Sequence, residues 1–298
     1  MRPSTSLGTK NPELVEGSLH CLMALQDHIF FENMKNFLQE VITLKRKEIE
    51  IAKAKRPITE LIDSKRLLRG VRPFKEAISS GNDLNLIAEI KKKSPSSKKS
   101  FFRKLDVRGI AGIYKSEGAK AISVLTDKRF FGGNLLHINE VKHSVDLPVL
   151  RKDFIIDEYQ VYESRYFGSD AILLIARILT VEEIKSFMHL AKKIGMDTIV
   201  EIHDENDLEK TLLSEAEIIG VNNRDLDTFE VSIENTFRLV PKITKEIVKV
   251  SESGIQNGTD VEGMKKIGVD AVLIGGAFLE SNDIAGKIRE IMSPVATT

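Results

Sequence analysis

A carboxylate and an ammonium stand two positions apart in Leu86-Ile-Ala-Glu-Ile-Lys91, so on a strand Glu89 and Lys91 point to one face. Further along, other short apolar runs also end in residues able to do chemistry. Lys152 follows Val149-Leu-Arg, Glu201 follows Thr198-Ile-Val, and Asn222 and Arg224 follow Ile218-Ile-Gly-Val. Glu252 and Ser253 close Ile247-Val-Lys-Val-Ser. An isolated Glu-x-Lys is most simply a structural ion pair. Two lysines, three glutamates and an asparagine gathered at one mouth would be a poor way to build stability, because buried charge is costly unless paired. Partial burial is expected to draw lysine pKa values down and glutamate values up, toward the neutral range where proton transfer works best. The pattern points to acid–base catalysis.

Such residues meet only if the runs that carry them are strands of one sheet. Eight runs recur at intervals of roughly 20 to 35 residues. They are Leu86–Glu89, Ala121–Leu125, Leu147–Lys152, Ala171–Ile175, Thr198–Glu201, Ile218–Asn222, Ile247–Glu252 and Ala271–Ile274. Continuous Val, Ile and Leu imply strands buried on both faces, and helical patterns lie between them. The expected fold class is α/β, a (β/α)8 TIM barrel with an N-terminal helical extension, whose strand C-termini build the active site. Four helical patterns close on glycine shortly before a strand, at Gly118, Gly168, Gly195 and Gly268. Thr180-Val-Glu-Glu183 has the spacing of a capping box. After the last two runs come Gly254 and the pair Gly275-Gly276, where barrels commonly hold phosphate on backbone N–H groups.

Composition narrows the rest. The 298 residues suit one barrel, and 44 basic against 44 acidic side chains give no global pull toward nucleic acid or membrane. The single cysteine, Cys21, excludes an intramolecular disulfide framework. No apolar run nears the ~18 residues a membrane span needs, so a cytoplasmic protein is expected. Residues 1–33 read as a poorly ordered or non-native extension, with Met34 an alternative start. Residues 34–298 then form a single barrel domain including the N-terminal helices. The first helix is expected from Met34 to about Lys55, with Phe37, Leu38, Val41, Ile42, Ile49 and Ile51 as its apolar positions and Pro57 marking its end. The basic stretch Lys91–Lys104 carries Phe101 and Phe102, a pairing that can bind single-stranded nucleic acid. Zero net charge and the lack of a nucleic-acid fold signature favour a solvated loop beside the site.

Taken together, Ile87-Ala-Glu-Ile-Lys-Lys-Lys-Ser-Pro-Ser96, Val124-Leu-Thr-Asp-Lys-Arg-Phe-Phe-Gly-Gly133, Leu150-Arg-Lys-Asp-Phe-Ile155, Val200-Glu-Ile-His203, Val221-Asn-Asn-Arg-Asp-Leu226 and Ser251-Glu-Ser-Gly-Ile255 closely resemble indole-3-glycerol phosphate synthase. The resemblance spans about residues 35 to 292. It implies a carboxy-lyase of tryptophan biosynthesis that converts 1-(2-carboxyphenylamino)-1-deoxyribulose 5-phosphate to indole-3-glycerol phosphate, releasing carbon dioxide and water. No cofactor and no metal are implied, and the partner is a phosphorylated small molecule handled by a monomer or weak oligomer. Carried over by position, Lys152 is the general acid, Glu201 the base for dehydration, and Lys91, partnered by Glu89, meets the substrate carboxylate. Asn222 and Ser253 orient substrate, with Arg224 and Glu252 in supporting positions. Ser94 sits in the flexible first βα loop, Phe131 and Phe154 wall the aromatic ring, and Gly254, Gly275 and Gly276 cradle phosphate. His203 is expected to be a loop or supporting residue.

Two departures stand out. Ser97-Lys98-Lys99 replaces a glycine-containing turn, and Gly276 replaces a serine common at the phosphate site, which removes one hydroxyl donor. The preceding isomerase of the same pathway would share the phosphate cradle but uses a cysteine and an aspartate at strand ends, and Cys21 lies far upstream of the first run.

Overall fold

Period-two alternation along each run decides what the barrel encloses. A computed structural model describes residues 37–81, 83–94 and 105–293. Its strands are β1 (Asn85–Ile90), β2 (Ala121–Leu125), β3 (Val149–Lys152), β4 (Ala171–Ile175), β5 (Asp197–Ile202), β6 (Ile218–Asn222), β7 (Val248–Glu252) and β8 (Ala271–Ile274). They are all parallel and close in sequence order, β1 pairing with both β2 and β8. This is a TIM barrel, with helices between the strands and further helices ahead of β1.

Alternate residues divide cleanly between two cores. Leu86, Ala88 and Ile90 of β1, Ile122 and Val124 of β2, and Val200 and Ile202 of β5 face outward against the helices. Ile87, Ala121, Leu150, Leu173, Ile199, Val250 and Leu273 face inward and fill the barrel. The inward parity then continues to the strand ends, where it reaches Glu89, Lys152, Glu201, Asn222 and Glu252. Register keeps these ends level: Ile175 pairs with Glu201, and Asn222 with Glu252.

The opposite end is closed by the helix Phe74–Ser79, which adds Phe74 and Ile78 to the interior core. Asn85 at the start of β1 ties it down, its side chain donating to the Ile78 carbonyl at 3.0 Å. The helix Phe37–Lys55 buries Phe37, Val41, Lys45 and Ile49, positions that recur every four residues on one face. Ile51, expected on that apolar face, is 55% exposed because it lies a half-turn from the buried stripe. Pro57 ends this helix and also precedes the short helix Ile58–Ile62.

Gly118, Gly168, Gly195 and Gly268 all take positive φ, so the repeat read as helix endings is real. Thr180 and Glu183 form the capping box. β3 and β7 start at Val149 and Val248, later than the apolar runs suggested, while β1 and β5 run one residue past their glutamates. Among the described residues no helix is long and apolar enough to cross a membrane. The expectations for residues 1–33 and for Met34 lie outside the described residues, as do Ser97–Lys99, Phe101 and Phe102.

Candidate active site

Lys152 projects from the end of β3 into a ring of carboxylates. Its Nζ donates to Glu201 Oε2 at 3.0 Å and to Glu252 Oε2. Lys91, just past β1, donates from Nζ to Glu89 Oε1 at 2.6 Å. The two ammoniums therefore sit on one rim of the barrel, lining a shared cavity with Glu89, Glu201, Asn222 and Ser253.

The electrostatics depart from expectation in one respect. Burial pulls the Lys152 ammonium down, but the charges of Glu201, Glu252 and Glu89 outweigh it, and its pKa is raised, not lowered. Burial likewise pushes Glu201 up, yet Lys152, His203 and a hydrogen bond from Asn222 hold it below the usual glutamate value. Glu252, in contrast to Lys152 and Glu201, follows the expected direction. Burial pushes it to about 7, Lys152 opposes this, and the neighbouring Glu201 and Glu89 add to it. Three carboxylates around one half-buried lysine explain the outcome: one glutamate keeps the lysine charged while another gives way. Glu252 Oε1 is buried without a hydrogen-bond partner in the described structure.

Two cavities meet here. The narrower, about 80 Å³, is lined by Phe131, Phe154, Leu173, Ile175, Leu226, Ser94 and Lys152. Its aromatic walls Phe131 and Phe154 have ring centroids 6.4 Å apart. The wider, about 620 Å³, is lined by Ser253, Gly254, Gly275, Gly276 and Lys287. Glu89, Lys91, Arg224 and Ser253 line both, marking the neck between an apolar slot and a polar basin. A flat ring suits the first and an anion the second.

Local backbone explains the basin. Ser253 has φ of 68°, a left-handed conformation costly for a non-glycine residue and concentrated at functional sites. Gly275 is demanded by close approach, since a Cβ there would fall 2.6 Å from Glu89 Oε1. Gly276, at the start of the short helix Gly276–Leu279, has open space around it. Arg224 is fixed at the neck by donating to the Phe229 carbonyl at 3.0 Å, and its backbone N–H donates to Asn222 Oδ1 at 3.0 Å.

All fourteen residues singled out from the sequence thus line or border one connected site. Missing from that reading are Phe37 and Phe229, which also line the slot and whose rings lie 5.0 Å apart. Phe37 was visible as a buried helix position but nothing aimed it at the barrel mouth. Phe229 lies in a loop without periodicity. Among the described residues no group of three His, Cys, Asp or Glu side chains is arranged to hold a metal ion.

The comparisons agree with this geometry. A family model described as "Indole-3-glycerol phosphate synthase" matches residues 38–291. An indole-3-glycerol phosphate synthase of Caldanaerobacter subterraneus is 44% identical over 259 residues, covering 87% of this chain and 98% of that protein. One from Acetivibrio thermocellus is 48% identical over 217 residues, covering 73% of this chain and 83% of the relative. Among solved structures, 3-hexulose-6-phosphate synthase from Salmonella typhimurium superposes with a TM-score of 0.57 at 18% identity, covering 70% of this chain and 97% of that one. At that identity the likeness speaks for the fold alone.

Proposed function

The chain belongs to the indole-3-glycerol phosphate synthase family, and from that premise we propose how its own residues convert 1-(2-carboxyphenylamino)-1-deoxyribulose 5-phosphate to indole-3-glycerol phosphate. The carboxyphenyl ring enters the slot between Phe131 and Phe154, and the phosphate rests in the basin on the backbone of Gly254, Gly275 and Gly276. Spanning the neck this way puts the ketone of the sugar chain beside Lys152 and the ring carboxylate beside Lys91. Glu89 holds Lys91 in place, Ser94 borders the ring, and Asn222, Arg224 and Ser253 set the orientation of the chain.

Ring closure adds a ring carbon to the ketone and develops negative charge on its oxygen. Lys152 is held protonated by its carboxylates, so a donor is always ready for that oxygen. Its raised pKa would by itself make it a reluctant acid. The alkoxide formed on closure is a far stronger base than the amine, so the proton still passes to it, and Glu201 takes up its own proton later, during dehydration. Glu252, poised at about 7, buffers the pair by taking or yielding a proton near neutral pH. Loss of carbon dioxide restores aromaticity after closure, and loss of water completes the indole. Each well-placed proton donor or acceptor is worth about 10²–10⁴ in rate.

In this reading residues 34–298 act as one unit in the cytoplasm, as a monomer or weak oligomer, without a metal or cofactor. The observation that carries it is the 3.0 Å contact between Lys152 and Glu201 in an apolar slot whose neck, at Glu89, Lys91, Arg224 and Ser253, opens into a polar basin. Steady-state turnover of the carboxyphenylamino substrate by the purified protein tests it, with Glu201→Gln expected to stall product formation and accumulate the ring-closed intermediate. Failure of the parent protein to form the indole product, or wild-type turnover by Glu201→Gln, would contradict it.

A further inference from the structure

His203 lies just past β5, 6% exposed, with its ring wedged between two carboxylates. Its Nε2 is 3.4 Å from Glu201 Oε1, and its Nδ1 is 3.6 Å from Asp207 Oδ2. At these distances neither ring nitrogen forms a hydrogen bond in the described structure, to either carboxylate or to any other group. Lys152 holds the other oxygen of Glu201, so Oε1 is the oxygen that faces the imidazole.

The surroundings leave the ring little freedom. The His203 backbone N–H donates to Asp207 Oδ2 at 3.1 Å, and its carbonyl accepts from Asn235 Nδ2 at 3.0 Å. The same Asn235 amide donates to the Asn222 carbonyl at 2.9 Å, tying the ends of β5 and β6 together. Behind the imidazole, Asp207 faces Arg177 Nε at 3.5 Å and Lys210 at 3.9 Å. Arg177 also reaches Asp204 at 2.8 Å, Asp225 at 3.9 Å and Asp227 at 3.7 Å. A packing role alone would be met by an apolar side chain, since a buried imidazole must offer polar nitrogens to something. Here each nitrogen lies near a carboxylate oxygen, the nearer being Glu201 Oε1.

We propose that His203 is a positioning residue for the reaction, its Nε2 poised 3.4 Å behind Glu201 Oε1 to donate an N–H that holds the carboxylate in place and keeps it ionised between turnovers. This rests on the reading of Glu201 as the general base. The groups facing Glu201 are then Lys152 from β3, Glu252 from β7, Asn222 from β6 and His203 from its own strand end. After burial, which raises the Glu201 pKa, and Lys152, which lowers it, His203 is the next influence and also lowers it. Removing the imidazole therefore raises the Glu201 pKa, and more acid must be titrated away before the base works.

The test compares His203→Leu, which keeps bulk without a donor, with His203→Gln, whose amide N–H reaches the place of Nε2. For His203→Leu the expectation is a fall in kcat of about tenfold, a fraction of what a whole base contributes. Its KM should stay within about twofold and the acidic limb of the kcat–pH profile should move to higher pH. His203→Gln should recover most of kcat. A leucine variant with kcat and acidic limb unchanged overturns the proposal. So does a parallel change in kcat and KM with no movement of that limb and no recovery by glutamine, which would mean packing alone. Glu201→Gln, assayed alongside, separates the premises: if it is inactive while His203→Leu is normal, only the role of His203 fails, whereas an active Glu201→Gln removes the base itself and this inference with it.

Discussion

Lys45 and Lys152 are both ammoniums drawn deep among carboxylates, yet they end in different circumstances. Lys45, 5% exposed, reaches from the helix Phe37–Lys55 to Asp127 at 2.9 Å, Asp153 at 3.0 Å and Glu48 at 2.8 Å. Its neighbours are satisfied in turn: Asp127 accepts from the Phe130 N–H and Asp153 from the Phe154 N–H. Lys152 meets Glu201 and Glu252 but leaves Glu252 Oε1 without a partner and faces a cavity. Parity separates the clusters. Lys152 points into the barrel, while its chain neighbours Arg151 and Asp153 point outward and join Lys45, Thr126 and Glu163. A closed network is a joint, and here it fastens the helix carrying Phe37 to the loops carrying Phe131 and Phe154. An incompletely satisfied one has capacity left for a substrate.

The comparison breaks most visibly at Lys45. Lys45→Met leaves the buried Asp127 and Asp153 without their shared cation, which should cost about 3–5 kcal/mol of stability. Urea denaturation would show this as a lower midpoint, while the folded fraction keeps kcat within severalfold of the parent. Loss of kcat at unchanged stability would mean that the two clusters are not distinct.

Next in size is Gly220, on β6 beside Glu252. A Cβ there would collide with Glu252 Oε1 and crowd Ile199. Gly220→Ala should displace the carboxylate and with it Lys152, lowering kcat about a hundredfold, the usual consequence of a misplacement near 1 Å. Undiminished turnover in this variant would show that the Glu252 position is immaterial.

Acid titration should distinguish the clusters by sign. Asp153 is pushed up by burial but held at about 2 by Lys45 and Arg151, below its ordinary 3.8. Its stabilisation is present above pH 3.8 and lost as the pH falls toward 2. Glu252, raised from 4.5 to about 7, does the reverse. Its contribution is full below 4.5 and fades as the pH rises through 7. Unfolding free energies of Asp153→Asn should flatten the acidic fall, and those of Glu252→Gln should flatten the slope between the two Glu252 values. Parent-like slopes in both would refute the assignment.

Much of this was legible in the sequence because two periods coincide. Runs of four to six apolar residues announced the strands, and counting in twos from Ile87, Leu150, Ile199 and Val250 lands on Glu89, Lys152, Glu201 and Glu252. The glycines that line the basin followed from their place after the last strands. What stayed hidden depends on distance through space. Lys45 and Asp127 are 82 residues apart, and nothing local links them. Phe37 and Phe229 arrive from outside the strands. The direction of the Lys152 shift could not be read from burial alone, because it depends on how many carboxylates surround one amine.

The smallest expected effect lies in the basin. With open space around a Cβ at position 276, Gly276→Ser should fold normally and lower KM by no more than severalfold, the gain of about one hydrogen bond. A KM unchanged from the parent would mean that phosphate does not rest there.

In the proposed mechanism Lys152 gives the proton that ring closure requires. Turnover and substrate affinity measured on the same preparation of Lys152→Met test it most directly. The expected result is a kcat lower by about 10²–10⁴, with substrate affinity within about tenfold of the parent. A variant that closes the indole ring at the parent's rate would contradict it.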